Sequence, residues 1–176
     1  MIKESDLKVL FNAENIQKEI HKLGELLNNT YKDEEVYLIC VLKGSVMFMT
    51  DLAKHLKMPV KMEFIRLSSY GSGFTTSGKV NAVDISLPDL NGKNVLIIED
   101  IIDTGHTAKF LVDFINLNFK VKDLKFCSLL DKRVKREVDI DADYYCFEVD
   151  DKFLVGYGLD YDGYYRNIPY IGYVEV

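Results

Sequence analysis

The chain has 176 residues, 48% of them apolar and 28% charged, which suits one globular domain with a core large enough to be stable without staples and argues against disorder. Lys and Arg total 22 against 28 Asp and Glu, a formal net charge of −6, so a dedicated nucleic-acid binder is disfavoured while a small anionic substrate met by a few local cations is not. Cys40, Cys127 and Cys146 are odd in number and lie in apolar runs, as expected of reduced core thiols in a cytoplasmic protein. No run approaches the ~20 apolar residues of a membrane helix, so no membrane partner is expected.

Taken in order, Ile16, Ile20, Leu23 and Leu27 recur at helical spacing and predict an amphipathic helix over 12–27. Val36 to Leu42 is a continuous apolar run, the pattern of a strand buried on both faces. Lys43-Gly44-Ser45 follows, and Val46, Met49, Leu52, Ala53 and Leu56 mark a second helix. Met62 to Leu67 reads as a strand. Ser68 to Gly78 is rich in Ser, Thr and Gly without apolar period, so a long mobile loop is expected there. Pro88 to Gly92 predicts a turn before a strand at Val95 to Ile98, and Ala108, Leu111, Val112 and Ile115 predict a third helix. Leu124 to Leu130, Tyr144 to Val149 and Phe153 to Leu159 read as further strands. Alternation of strand and helix implies an α/β fold, with an open, mostly parallel sheet flanked by helices. Ligands of such folds sit beyond the carboxyl ends of the strands, where Lys43, Glu99, Asp103, Lys132 and Asp160 all fall.

The densest signal is Val95 to Thr107, VLIIEDIIDTGHT. Glu99 and Asp100 follow the apolar strand at once. Taken alone they are either a polar strand end or acceptors for a vicinal diol and the divalent cation beside it. Asp103 has two readings as well, a helix N-cap or part of a site. Thr104-Gly105-His106-Thr107 supplies successive backbone N–H donors, two hydroxyls and a glycine free to take positive φ at a helix start, which suits a phosphate dianion. The patterns GxxxxGK[ST] and GxGxxG are both absent, which weakens triphosphatase and dinucleotide-binding readings. A monophosphorylated ribose fits best.

This stretch resembles the phosphoribosyl pyrophosphate motif of the type I phosphoribosyltransferases. Val41 to Ser45, Ser68 to Gly73, Leu129 to Lys132 and Phe153 to Tyr161 resemble the hypoxanthine–guanine branch in order and spacing, over roughly residues 36–173. The resemblance implies a single domain over 1–176 with a small hood formed by N- and C-terminal segments. It also implies transfer of the 5-phosphoribosyl group from phosphoribosyl pyrophosphate to a 6-oxopurine base, with release of pyrophosphate.

Residue by residue, it places Glu99 and Asp100 on the ribose hydroxyls and on Mg2+. Asp103, Thr104, Gly105, His106 and Thr107 would cradle the 5′-phosphate, Asp103 doubling as the general base toward purine N7. His106 stands where some relatives carry Lys, and a backbone role tolerates the change. Lys43 and Gly44, after a cis peptide at Leu42–Lys43, would meet pyrophosphate together with Arg166. Lys132 would donate to the purine O6, which favours a 6-oxo over a 6-amino group. Phe153 would stack on the ring, Leu154 and Asp160 would offer backbone carbonyls, and the Asp160 carboxylate would reach a second Mg2+ through water. A lid at about 68–78, tipped by Ser69 and Tyr70, would exclude water from an oxocarbenium-like species. Relatives of this kind form homodimers or homotetramers. Two other classes compete: a regulator that keeps the fold to sense the donor while binding nucleic acid, and a signalling receiver domain. The acidic balance and the set Asp103, Lys132 and Phe153 disfavour the first, and the Thr104-Gly105 turn has no place in the second.

Overall fold

The computed structural model describes residues 4–69 and 80–174. Strand β1 (Lys8–Phe11) precedes helix α1 (Ala13–Tyr31), whose N-cap Asn12 accepts a 2.8 Å bond from the Asn15 N–H through its side chain. That bond satisfies one of the donors every helix start leaves orphaned. Next come β2 (Val36–Leu42), α2 (Val46–His55), β3 (Val60–Ser69), β4 (Val80–Asp84), β5 (Asn94–Ile102), α3 (His106–Asn118), β6 (Asp123–Asp131), β7 (Tyr144–Glu148), β8 (Leu154–Val155) and β9 (Ile171–Tyr173).

Six strands form one sheet in the order β4-β3-β2-β5-β6-β7; all neighbours are parallel except the edge strand β4, which runs antiparallel to β3. Because a strand sends successive side chains to opposite faces, the apolar runs of β2 and β5 feed two cores. Leu38, Cys40, Leu96 and Ile98 pack with Ile16, Ile20 and Leu27 of α1 and Phe48, Met49 and Leu52 of α2. Tyr37, Ile39, Val95 and Ile97 pack with Ala108, Leu111 and Ile115 of α3. Both faces are thereby covered, as a parallel sheet requires. The expected hood is a separate antiparallel sheet, β1-β9-β8, which joins the chain's two ends.

Several boundaries differ from the sequence reading. The segment expected as a strand over Phe153–Leu159 is strand only at Leu154–Val155. Gly156 and Gly158 then take φ of 99° and 101°, with Tyr157 between them at 48°, and an isolated bridge joins Gly156 to Leu159. Three successive positive φ values cannot continue a strand, so the apolar side chains reach the core from a tight turn. Ser68 and Ser69 belong to β3 and pair with Asn81 and Val80, so the loop expected from 68 starts later. Ser and Thr carry no apolar period, which hid the strand's end. Tyr70 and the rest of the expected lid lie outside the described residues. Strand β5 also runs four residues past Ile98, because β6 continues alongside it to the pair Ile102–Asp131. Glu99 and Asp100 therefore sit inside a strand, not beyond its end.

Candidate active site

That position separates the two acids. On a strand, Glu99 and Asp100 must point to opposite faces. Glu99 joins Ile101, Ile102, Asp103, Thr104, Gly105, Thr107 and Ala108 around a cavity of about 180 Å³ at the start of α3. Asp100 faces α2 and presses on the loop after β2: a Cβ placed on Gly44 would lie 1.6 Å from Asp100 Oδ2. Burial, reinforced by the neighbouring Asp100, pushes the Glu99 carboxyl well above its ordinary value. Burial also pushes Asp100 up to about 6, against bonds from the Ile101 and Asp100 amides and the pull of Arg166. Two buried acids held in this way gain from hydroxyl donors or a cation brought to them.

The turn from Asp103 to Thr107 has the glycine at positive φ that its composition suggests. Gly105 has φ 89° and serves as the α3 N-cap with no side-chain cap bond, so Asp103 is not the cap and its carboxylate is left for the site. A Cβ on Gly105 would also lie 2.9 Å from Arg136, Val138 and Ile140. Those residues come from the segment after β6, which braces the turn from behind: the Glu137 amide donates to Thr104 O at 2.9 Å and Arg136 Nε donates to Asp103 O at 3.1 Å. His106 Nε2 lies 2.8 Å from Glu137 Oε2, so its ring is engaged away from the cavity and only its backbone remains available to a phosphate.

Asp103 Oδ1 is buried with no hydrogen-bond partner, while Oδ2 lies 3.8 Å from Lys132 Nζ. Lys132, its side chain 7% exposed, also reaches Asp151 Oδ1 at 3.7 Å and is fixed by its own amide on Ile102 O at 2.9 Å. Lys132 is thus a buried ammonium held between two carboxylates rather than part of a solvated basic run. Phe153 is 44% exposed and forms a T-shaped pair with Tyr161, ring centres 5.7 Å apart. Leu154 is buried in β8 and pairs with Tyr173.

On the other side of Asp100, Leu42–Lys43 is a cis peptide, as the resemblance implied, and Lys43 is exposed beside buried Gly44. A Cβ on Gly158 would meet Gly44 O at 2.0 Å, so the turn after β8 rests directly on this loop. Arg166 donates to Gly158 O at 2.6 Å and pairs with Asp160 Oδ1 at 2.5 Å, while Asp160 Oδ2 accepts from the Gly163 amide at 2.7 Å. Lys43, Gly44, Asp100, Asp160 and Arg166 are thus gathered into one region from four separated stretches of sequence. For Mg2+, the donor set fits: Glu99, Asp100 and Asp160 offer hard carboxylate oxygens, and Mg2+ characteristically takes one or two of these with substrate phosphates and water. No cluster of three ligating side chains exists among the described residues.

Three residues escaped the sequence reading. Asp131 is fully buried and receives Arg133 Nε at 2.8 Å and Arg136 NH2 at 2.5 Å; Arg136 thereby links a buried acid to the Asp103 backbone. Gly158 is the third. Arg136 on Asp103 and Gly158 on Gly44 depend on contacts distant in sequence, although the run Asp131 to Arg136 did show one acid followed by four bases at a strand end.

Comparison with known proteins agrees with this geometry. A family model described as a phosphoribosyl transferase domain matches residues 7–162. A hypoxanthine-guanine phosphoribosyltransferase of Bacillus subtilis is 45% identical over 175 residues, 99% of this chain and 97% of the relative. One from Streptococcus thermophilus is 42% identical over the same shares. Among solved structures, a hypoxanthine phosphoribosyltransferase from Staphylococcus aureus superposes with a TM-score of 0.91 at 40% identity, covering 97% of this chain and 93% of that one. With the family domain spanning most of its length and near full-length relatives above 40% identity, this chain belongs to the phosphoribosyltransferase family.

Proposed function

We propose that the protein is a purine salvage enzyme that transfers the 5-phosphoribosyl group from phosphoribosyl pyrophosphate to hypoxanthine and guanine, giving IMP or GMP and pyrophosphate. One observation carries the reading: Asp103 lines a cavity at the start of α3 and lies 3.8 Å from Lys132, whose other partner Asp151 is two residues from the exposed ring of Phe153. The cavity takes the 5′-phosphate on the amides and hydroxyls of Thr104 to Thr107. Glu99 accepts from the ribose hydroxyls. Lys132 donates to the purine O6, and Phe153 stacks on the ring. Asp100 and Asp160 would hold Mg2+, which when bound would supply charge neutralisation for the leaving group.

As the bond from the anomeric carbon to pyrophosphate breaks, a purine ring nitrogen forms the new bond to that carbon. The purine N7 proton passes to Asp103. Asp103 lines the cavity and nothing donates to its Oδ1, which supports that role. Lys43, the Gly44 amide and Arg166 receive the departing pyrophosphate. Three free cysteines support a reducing, cytoplasmic setting, and a homodimer or homotetramer is the assembly proposed.

The deciding experiment offers hypoxanthine, guanine, xanthine and adenine separately, with the donor and Mg2+, and follows nucleotide and pyrophosphate. Hypoxanthine and guanine should be converted and adenine should not. Adenine turnover equal to that of hypoxanthine would remove the role of Lys132, and no turnover with any base would remove the function.

A further inference from the structure

Only three histidines occur in the chain, and two of them meet on the surface far along the fold from the site above. His21, on α1, and His55, the last residue of α2, place their Nδ1 atoms 3.4 Å apart, with ring centres 5.1 Å apart and planes at 75°. That separation is long for a hydrogen bond between nitrogens, which is usually near 3 Å. It matches two imidazoles on one metal ion: with Zn–N of about 2.0–2.1 Å and a tetrahedral angle, two ligand nitrogens lie about 3.4 Å apart and their ring centres about 5.2 Å.

The surroundings hold this geometry in place. A Cβ on Gly24 would lie 2.6 Å from His55 Cβ, so the absence of a side chain at that position is what lets α1 come this close. Asn28 then pins the end of α2: its Nδ2 donates to His55 O at 2.9 Å, and its Oδ1 accepts from the Lys57 amide at 2.8 Å. On the far side of the His21 ring, Glu25 Oε1 lies 3.6 Å from Nε2. That carboxylate adds negative charge beside the His21 ring, which favours a dication bound there.

We propose that His21 and His55 form a surface site for a borderline divalent transition metal such as Zn2+, distinct from the magnesium chemistry of the active site. Two imidazoles select this class over Mg2+, which takes oxygen ligands. Among the described residues no third ligating side chain completes the cluster, so water fills the remaining positions and the affinity is modest. Bound metal would clip α1 to the end of α2.

Calorimetric titration of the full chain with zinc chloride, in buffer free of phosphate and chelators, tests this. One equivalent should bind, and excess Mg2+ should not compete. His21→Asn and His55→Asn should each weaken binding at least about tenfold, and Glu25→Gln should weaken it by a smaller factor, through the loss of a nearby negative charge. His106→Asn should bind as the wild type does. Zinc should raise the melting temperature of the wild type and not that of the His21→Asn/His55→Asn double variant. Unchanged turnover of the double variant without zinc establishes that it is folded. Zinc binding of equal affinity and stoichiometry in wild type and double variant would overturn the proposal, as would no binding by the wild type.

Discussion

Arg136→Met tests whether the segment behind the phosphate turn is held by a buried ion pair. Asp131 is 0% exposed and is neutralised from two sides, by Arg133 Nε at 2.8 Å and Arg136 NH2 at 2.5 Å. Arg136 also donates to Ile140 O and Asp103 O. Stripping one partner from a buried pair usually costs ~3–5 kcal/mol, because a charge is left in low dielectric. Here Arg133 remains, so roughly half of that is expected, about 2 kcal/mol. For a domain of this size each kcal/mol moves the melting temperature by about 2–4 °C, which gives a drop of about 4–8 °C by calorimetry or circular dichroism. The double variant Asp131→Leu/Arg136→Met removes the stranded charge, so its loss should fall well short of the sum of the single losses. A drop below about 2 °C in the single variant, or additive losses in the double, would refute the reasoning.

Asp103→Asn should lower turnover by ~10²–10⁴ with near-normal donor binding, read as kcat against the dissociation constant of the donor; turnover within about threefold of wild type would reject the proton-acceptor role. Gly44→Ala forces Asp100 to move, because the new Cβ would lie 1.6 Å from its Oδ2. A displacement of that order should cost about 10²-fold in kcat/KM, measured by initial rates at limiting donor. Without Mg2+, stability should rise as the pH falls from 7.5 to 5, because the folded-state carboxyls of Glu99 and Asp100, the latter at about 6, bind protons more tightly than in the unfolded chain. Urea unfolding in EDTA measures this, and Asp100→Asn should flatten the trend; stability that falls over this interval would contradict it.

What could be read from the sequence was what local pattern determines. The run Val36 to Leu42 gave β2 to the residue, since a strand buried on both faces leaves no polar positions to blur its ends. Gly105 at a helix start with positive φ followed from backbone chemistry alone. Asp103 and Lys132 were marked by resemblance, and the fold places them 3.8 Å apart. Glu99 and Asp100 were read as a pair acting together, whereas the register of β5 against β6 sends them to opposite faces. That register is a long-range property. Strand β1 escaped for the same reason, as it pairs with β9 from the far end of the chain, and the hood was expected from the resemblance alone. Phe153 to Leu159 misled because an apolar run records burial, and a glycine-bearing turn can be buried as well as a strand.

The backbone of Gly158 rests on the carbonyl of Gly44 with no room for a methyl group between them. The stretch that would recognise the nucleobase and the stretch that would receive the leaving group are therefore mechanically one body. Redesigning the former to admit a bulkier base would drag the latter with it. Selectivity and donor affinity should then change in concert along any engineering path through Phe153 to Asp160, and a campaign that scores only one of them will be misled by the other.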